Sequence, residues 1–219
     1  MVSIQDYTPD LKESWLRCRA LAYMHSSFTD EITDQRDDIP TNRRISLVAM
    51  SDKQVVGLVD AVYLDATQAN PESYGFNAGT VLTTLDAVAT HPDYQHRGIA
   101  RDLIDEVIRR LQPRGGELLI YTLDDVPANS LYRSLGAKLC YQASIVTAHS
   151  RHNQVPLWTD FKVNPEHEVD VYDTEGNQVD YAIDSETYYV GQKRHIAQLD
   201  NITKIATEHV YTLKLSDED

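Results

Sequence analysis

The sequence predicts an α/β chain of the α+β type, a sheet flanked by helices followed by a β-rich C-terminal extension. Three observations carry this expectation. Over the first 149 residues, β-like and helix-spaced apolar runs alternate in the order β-α-α-β-β-β-α-β-α-β. Within that order, an apolar run over 81–89, a short Gly-bearing loop and an amphipathic run over 99–111 read as strand, tight loop and helix start. From about Ser150 the helical spacing stops and short strand-like runs take over.

Taken in order, residues 2–5 read as a first strand. Residues 10–25 read as a helix, with Leu11, Trp15, Leu16, Leu21 and Ala22 near helical spacing after a Pro9-Asp10 start. The acidic stretch 29–38 reads as a second short helix before Pro40. Residues 45–50 and 55–64 are strands joined by a turn over 51–54. Residues 65–79, with Pro71, Gly75 and Gly79, form a loop before the strand over 81–89. Ile99, Leu103, Ile104, Val107, Ile108 and Leu111 then fall on one helix face, ended by Pro113 and Gly115-Gly116. A strand over 117–123 leads to a short helix over 127–135, capped by Asp124 or Asp125 and stopped by Gly136, and to a strand over 138–148.

The division expected is a first domain over 1–149 and an acidic β-rich extension over 150–219. Strands are expected in the extension at 155–163, 168–172, 178–183, 187–192, 196–199 and 209–215, with a hairpin turn over 173–177. One or two of them would complete the sheet. Trp158, Phe161, Tyr172, Tyr181, Tyr188, Tyr189 and Tyr211 are too many large apolar groups for a disordered tail. An ordered unit is expected, forming a pocket wall, a homodimer contact, or both.

Composition narrows the classes of function. The formal net charge is −14, which argues against nucleic acid as the main partner and suits a cationic substrate through steering. Residues 151–219 hold 14 of the 34 acidic but only 6 of the 20 basic side chains. No apolar run approaches the length of a membrane span and no signal-peptide pattern opens the chain, so a cytoplasmic protein without a membrane partner is expected. Cys18 and Cys140 lie in unrelated regions and read as reduced, buried thiols. The histidines show no ligand spacing, so no metal site is expected.

The loop Gln95-His96-Arg97-Gly98-Ile99-Ala100 is the strongest functional signal. A helix start carries unpaired N–H groups and the positive end of the helix dipole, and so can hold a phosphate. Gly98 and Ala100 keep side chains out of the way of a close approach. Among the strand residues, Asp86 stands out, because a carboxylate in an apolar strand is costly unless paired or functional.

The stretch Leu85-Asp86-Ala87-Val88-Ala89-Thr90-His91-Pro92-Asp93-Tyr94-Gln95-His96-Arg97-Gly98-Ile99-Ala100 resembles the acetyl-CoA signature of the GNAT N-acetyltransferase superfamily, and Asn129-Ser130-Leu131-Tyr132-Arg133-Ser134-Leu135-Gly136-Ala137 resembles its second block. Ala100 stands where a second glycine is commoner, and Ala137 where an aromatic is usual. The resemblance implies a mixed, mostly antiparallel sheet flanked by helices, with acetyl-CoA as acetyl donor. It implies that Gln95, His96, Arg97, Gly98, Ile99, Ala100 and Arg101 grip the pyrophosphate. The backbone at Val88, Ala89 and Thr90 would pair with the pantetheine arm and polarise the thioester. Tyr132 would protonate the leaving thiolate, and Asn129 would bond the cofactor or cap its helix. Asp86 would accept the amine proton or anchor a cationic substrate, the alternative being a salt bridge to an arginine. The expected activity is acetyl transfer to a primary amine, on a small molecule or peptide, by direct attack in a ternary complex. The alternative is a non-catalytic acyl-CoA-binding module with a protein partner on the extension.

Overall fold

The structure, a computed structural model, describes residues 2–24, 40–65, 67–150, 156–157, 160–184 and 187–215. The helix expected over 29–38 lies outside them, as does Trp158. The chain forms two compact units, one of residues 1–65, 81–120 and 213–219, the other of residues 66–80 and 121–212. The fold is mixed α/β, its strands mostly antiparallel and flanked by helices, with additional strands towards the C-terminus.

In the first unit, β1 (Ser3–Asp6), β2 (Arg44–Ser51), β3 (Gln54–Tyr63) and β4 (Leu82–Thr90) lie side by side and antiparallel. β5 (Gly116–Thr122) pairs with β4 in parallel. The β2–β3 turn places Asp52 and Lys53 at φ of 47° and 68°, the two positive values that a tight primed hairpin turn requires. α1 (Lys12–Tyr23) buries Trp15 and Cys18 against Val48, Val55, Leu58, Ala87 and Ala89. Leu21, expected on the buried stripe, is instead exposed. α2 (Ile99–Leu111) has the expected bounds and buries Ile99, Leu103, Ile104, Val107 and Leu111, each contributing about 1.5–3 kcal/mol by its removal from water.

Adjacent strand residues point to opposite faces. Leu58 meets α1, and its neighbour Gly57 meets α2. The two helices therefore cover opposite faces of this sheet. A Cβ on Gly57 would lie 2.6 Å from Ile99 Cγ2 and 3.1 Å from Leu103 Cδ1, so the missing side chain is what lets the start of α2 sit close on β3.

In the second unit, α3 (Val126–Ser134) is capped by Asp125, whose carboxylate accepts from the Ala128 N–H at 3.0 Å. Gly136 follows the helix at φ 88°. β6 (Lys138–Ser150) is the long central strand. The chain continues through β7 (Asp160–Val163), β8 (Val169–Tyr172), β9 (Gln178–Val179), β10 (Ala182–Asp184), β11 (Thr187–Val190) and β12 (Leu199–Leu215). β6 is bonded on one edge to β12 and on the other to β11, which carries β10; all three pairings are antiparallel. β7, β8 and β9 form a separate antiparallel sheet. The Asp173 carboxylate accepts the N–H groups of Glu175 and Asn177 in the expected β8–β9 turn. The strand expected over 196–199 is a 3₁₀ turn, Lys193–Gln198, and the last strand starts ten residues earlier than expected, at Leu199 rather than His209. Among the described residues, no helix is long and apolar enough to cross a membrane.

Gly57→Val should destabilise the protein by about 1–3 kcal/mol, as overpacking of a filled site does. Urea unfolding measures it; a change below about 0.5 kcal/mol would mean that α2 is not seated on Gly57.

Candidate functional site

In the first unit the expected anion loop is a built object. The His91 Nδ1 accepts the Asp93 N–H at 3.2 Å, and Pro92–Tyr94 makes one 3₁₀ turn. Arg97 folds back over the loop, donating to the Asp93 carbonyl at 2.8 Å with its guanidinium 4.9 Å from the Tyr94 ring centre. His96 and Gly98 both take positive φ, 60° and 82°. α2 then begins with no side-chain cap, so its first N–H groups are left for solvent or a ligand. A Cβ on Gly98 would meet nothing within 4 Å. Gly98 is favoured by its left-handed backbone. Gln95, His96, Arg97 and Gly98 are exposed, Ala100 and Arg101 half-buried, and Ile99 is buried as an anchor for the helix.

The strand entering this loop is interrupted. Asp60 pairs with Ala87 and Ala61 with Leu85, which leaves Asp86 as the extra residue of a β-bulge. Pairing with β5 runs only from Leu82 to Leu85. Beyond it, the His91 N–H donates to the Val56 carbonyl at 2.9 Å, and antiparallel alternation then fixes the direction of the neighbours' groups. Those of Ala89 face β3; those of Val88 and Thr90 face the edge beyond the β5 pairing. Tyr23 Oη donates to the Val88 carbonyl there at 3.3 Å, and Gln95 Nε2 to the Thr90 carbonyl at 3.5 Å. Thr90 Oγ1 is buried and has no hydrogen-bond partner among the described residues. Asp86 is partly exposed, with Arg44 Nη2 4.0 Å from its Oδ2. Of the two readings of this carboxylate, the contact with an arginine is the one seen here.

In the second unit, Tyr132 and Asn129 lie on α3 and are both buried. The Tyr132 ring packs against that of Tyr211, 6.3 Å between centres. Asn129 Nδ2 donates to the carbonyls of Leu123 and Asp125 at 2.8 and 2.7 Å, and its Oδ1 accepts from Tyr211 Oη at 2.7 Å. Both amide hydrogens thus hold α3 to the turn before it. Arg133 Nη1 donates to the same Tyr211 oxygen at 3.0 Å.

Sequence reasoning missed two features: the bulge at Asp86, and Tyr211 as the clasp on α3. The only signal for Tyr211 was its place in the list of large aromatics. Neither cysteine offers a nucleophile. Both are buried and neither is in a disulfide among the described residues, and burial pushes the Cys18 thiol up to about 12, so it stays protonated.

Several solved structures share this fold. The chain is similar to the ribosomal-protein-S18-alanine N-acetyltransferase from Escherichia coli, with 14% identity, TM-score 0.53, and 100% of this chain and 97% of that one covered. It is similar to Arabidopsis thaliana NAA60 in complex with a bisubstrate analogue, with 11% identity, TM-score 0.57, and 98% of each chain covered. It is also similar to an N-acetyltransferase from Staphylococcus aureus, with 11% identity, TM-score 0.57, and 99% of each chain covered. At such identities these likenesses speak for the fold. No curated protein matches at the level of sequence. The family model of the acetyltransferase (GNAT) family, however, matches residues 8–137, a span that runs from α1 through the bulged strand and the anion loop to the end of the α3 motif. On that match the chain belongs to the GNAT acetyltransferase family.

Proposed function

We propose that this protein is an N-acetyltransferase that moves an acetyl group from acetyl-CoA to a primary amine by direct attack in a ternary complex. The observation that carries the reading is the edge of β4 at Val88 and Thr90, covered by no strand among the described residues though its carbonyls accept from Tyr23 and Gln95, and leading directly into the start of α2, which has no side-chain cap there. A strand edge takes an extended amide-bearing chain as it would another strand. A helix start takes a phosphate. The two lie in the order that a pantetheine arm and a pyrophosphate require, and the orphaned Thr90 hydroxyl adds a polar group in need of a partner. These features support acetyl-CoA as the donor.

Acetyl-CoA supplies the activated acetyl group as a thioester. The chain's own residues do the rest. The N–H groups at Gly98, Ile99, Ala100 and Arg101 neutralise the pyrophosphate, helped by the dipole of α2 and the charges of Arg97 and Arg101. The N–H groups on the Val88 and Thr90 edge orient the arm and polarise the carbonyl. Tyr132 holds a proton at Oη for the departing sulfur, the one polar hydrogen its side chain can donate. Asp86, solvent-reachable and close to Arg44, is the candidate to take the amine proton, directly or through water. The buried hydrogen bonds of Asn129 support a structural task, holding the helix that carries Tyr132.

Release of free CoA, followed with a thiol-reactive dye over a panel of primary amines, tests the activity. Amine-dependent release is expected. Acetyl-CoA that raises the melting temperature yet is never turned over would favour the binding-module alternative.

Gly98→Glu should remove the stabilisation by acetyl-CoA, since it puts a carboxylate where the pyrophosphate is expected; a shift equal to that of the wild type would move the site elsewhere. Tyr132→Phe should lower turnover roughly ten- to a thousand-fold with little change in acetyl-CoA affinity. Unaltered turnover, with chemistry shown to limit the rate, would leave Tyr132 only its packing role.

A further inference from the structure

Within the second unit, Tyr211 of β12 is buried against one face of α3. Asn129, Tyr132 and Arg133 all meet it. Positions i, i+3 and i+4 lie on one side of a helix, so a single side chain holds the stripe that carries Tyr132. The hydrogen bonds here run in one direction. Both amide hydrogens of Asn129 go to the Leu123 and Asp125 carbonyls, which fixes its Oδ1 as the atom turned to Tyr211. The one hydroxyl hydrogen of Tyr211 goes to that Oδ1, and Arg133 Nη1 donates to the same hydroxyl oxygen. With its hydrogen committed, Tyr211 gives α3 a fixed position and no proton.

The same stretch of β12 is tied to the turn before α3. The Thr207 N–H donates to Asp124 Oδ2 at 2.7 Å, and His209 Nε2 lies 3.2 Å from Oδ1 of that carboxylate. Gln142 Nε2 stands 2.8 Å from His209 Nδ1, and the Nε2–H tautomer of the imidazole satisfies both contacts. Side chains two apart on a strand point the same way. The His209 ring accordingly lies beside that of Tyr211, 14° from parallel with the centres 6.5 Å apart. Thr207, His209 and Tyr211 thus form a rail along which the turn and the helix are seated.

We propose that Tyr211 is the positioning residue for Tyr132, holding that ring in the orientation from which its hydroxyl delivers a proton. The proposal rests on the acetyltransferase reading above and on the task given there to Tyr132. It puts a determinant of the rate on β12, outside residues 8–137, which match the family model. Misplacing a reacting group by about 1 Å costs on the order of a hundred-fold in rate, so a link that fixes the helix on both sides of Tyr132, at Asn129 and Arg133, acts on kcat without touching a substrate.

The test is a double-mutant cycle on the full chain. Tyr211→Phe keeps the ring and removes the hydroxyl; it is made in the wild type and in Tyr132→Phe, and CoA release is followed well below the melting temperature. In the wild-type background kcat should fall roughly ten-fold while the KM for acetyl-CoA stays within about two-fold. In the Tyr132→Phe background the same change should lower kcat by less than about two-fold, because the group it positions is gone. Arg133→Met, an exposed substitution that removes the other partner of the Tyr211 hydroxyl, should lower kcat by a smaller factor, again only where Tyr132 is present. Fluorine NMR of protein labelled with 3-fluorotyrosine gives a readout apart from turnover: the Tyr132 signal, identified by its loss in Tyr132→Phe, should shift or broaden in Tyr211→Phe. Equal fold-changes in the two backgrounds, an unaltered kcat in Tyr211→Phe, or an unmoved Tyr132 signal would each overturn the proposal. A wild type that releases no CoA with any amine would reject acetyl transfer instead, and the fluorine spectrum would still decide whether Tyr211 holds Tyr132.

Discussion

One extra residue in a strand governs the first unit. Asp86 bulges out of β4, and the consequences run in two directions. Along the β3 side, alternation is reversed: Leu85 and Ala87 are two apart yet pair with adjacent residues of β3 and so face opposite sides of the sheet. Along the other side, pairing with β5 stops at Leu85. The last turn-free stretch of β4 is therefore a strand with one finished edge and one open edge, held in place by α1 underneath and by the bonds to β3. A free edge is a liability that folds blunt or cover. Here it runs straight into a loop whose left-handed His96 and Gly98 deliver an uncapped helix start. The bulge, the open edge and the bare helix start are one continuous piece of backbone, and the proposed donor site needs little from side chains.

This backbone dependence explains what could be read from the sequence. α2 was legible to the residue, because its apolar face repeats at helical spacing and Gly98 and Pro113 bracket it. The left-handed turn before α2 was legible because glycine is the residue for φ of 82°. The choice of Val88 and Thr90 over Ala89 was not. It depends on which groups face β3, and that follows from a register set by the bulge. Nothing in the order Leu85, Asp86, Ala87, Val88, Ala89 marks the bulge, since apolar residues at every second position read as an unbroken strand. For Asn129, holding the start of its helix was one of the two tasks read from the sequence, but its partner Tyr211, 82 residues away, was not visible.

The C-terminal extension shows the same division between local and non-local information. Its strands were visible as short β-rich runs, and the turn at Asp173 was fixed by its own side chain. Their partners were not visible. β6 is flanked by β12 and β11, both from the extension, so the tail completes the sheet of the second unit instead of standing apart from it. The tyrosines counted as bulk in the sequence are polar as well: Tyr189 and Tyr141 share the Glu208 carboxylate, and Tyr211 ties α3 to its turn.

The central claim is that backbone groups, the open edge of β4 and the first turn of α2, bind the acetyl donor. Amide hydrogen exchange with and without saturating acetyl-CoA tests it residue by residue. The account predicts marked slowing at Val88, Thr90, Ile99 and Ala100, with Ala89 slow in both states because its N–H already faces β3. Binding of acetyl-CoA that leaves the exchange of Val88, Thr90 and the first turn of α2 unchanged would contradict it.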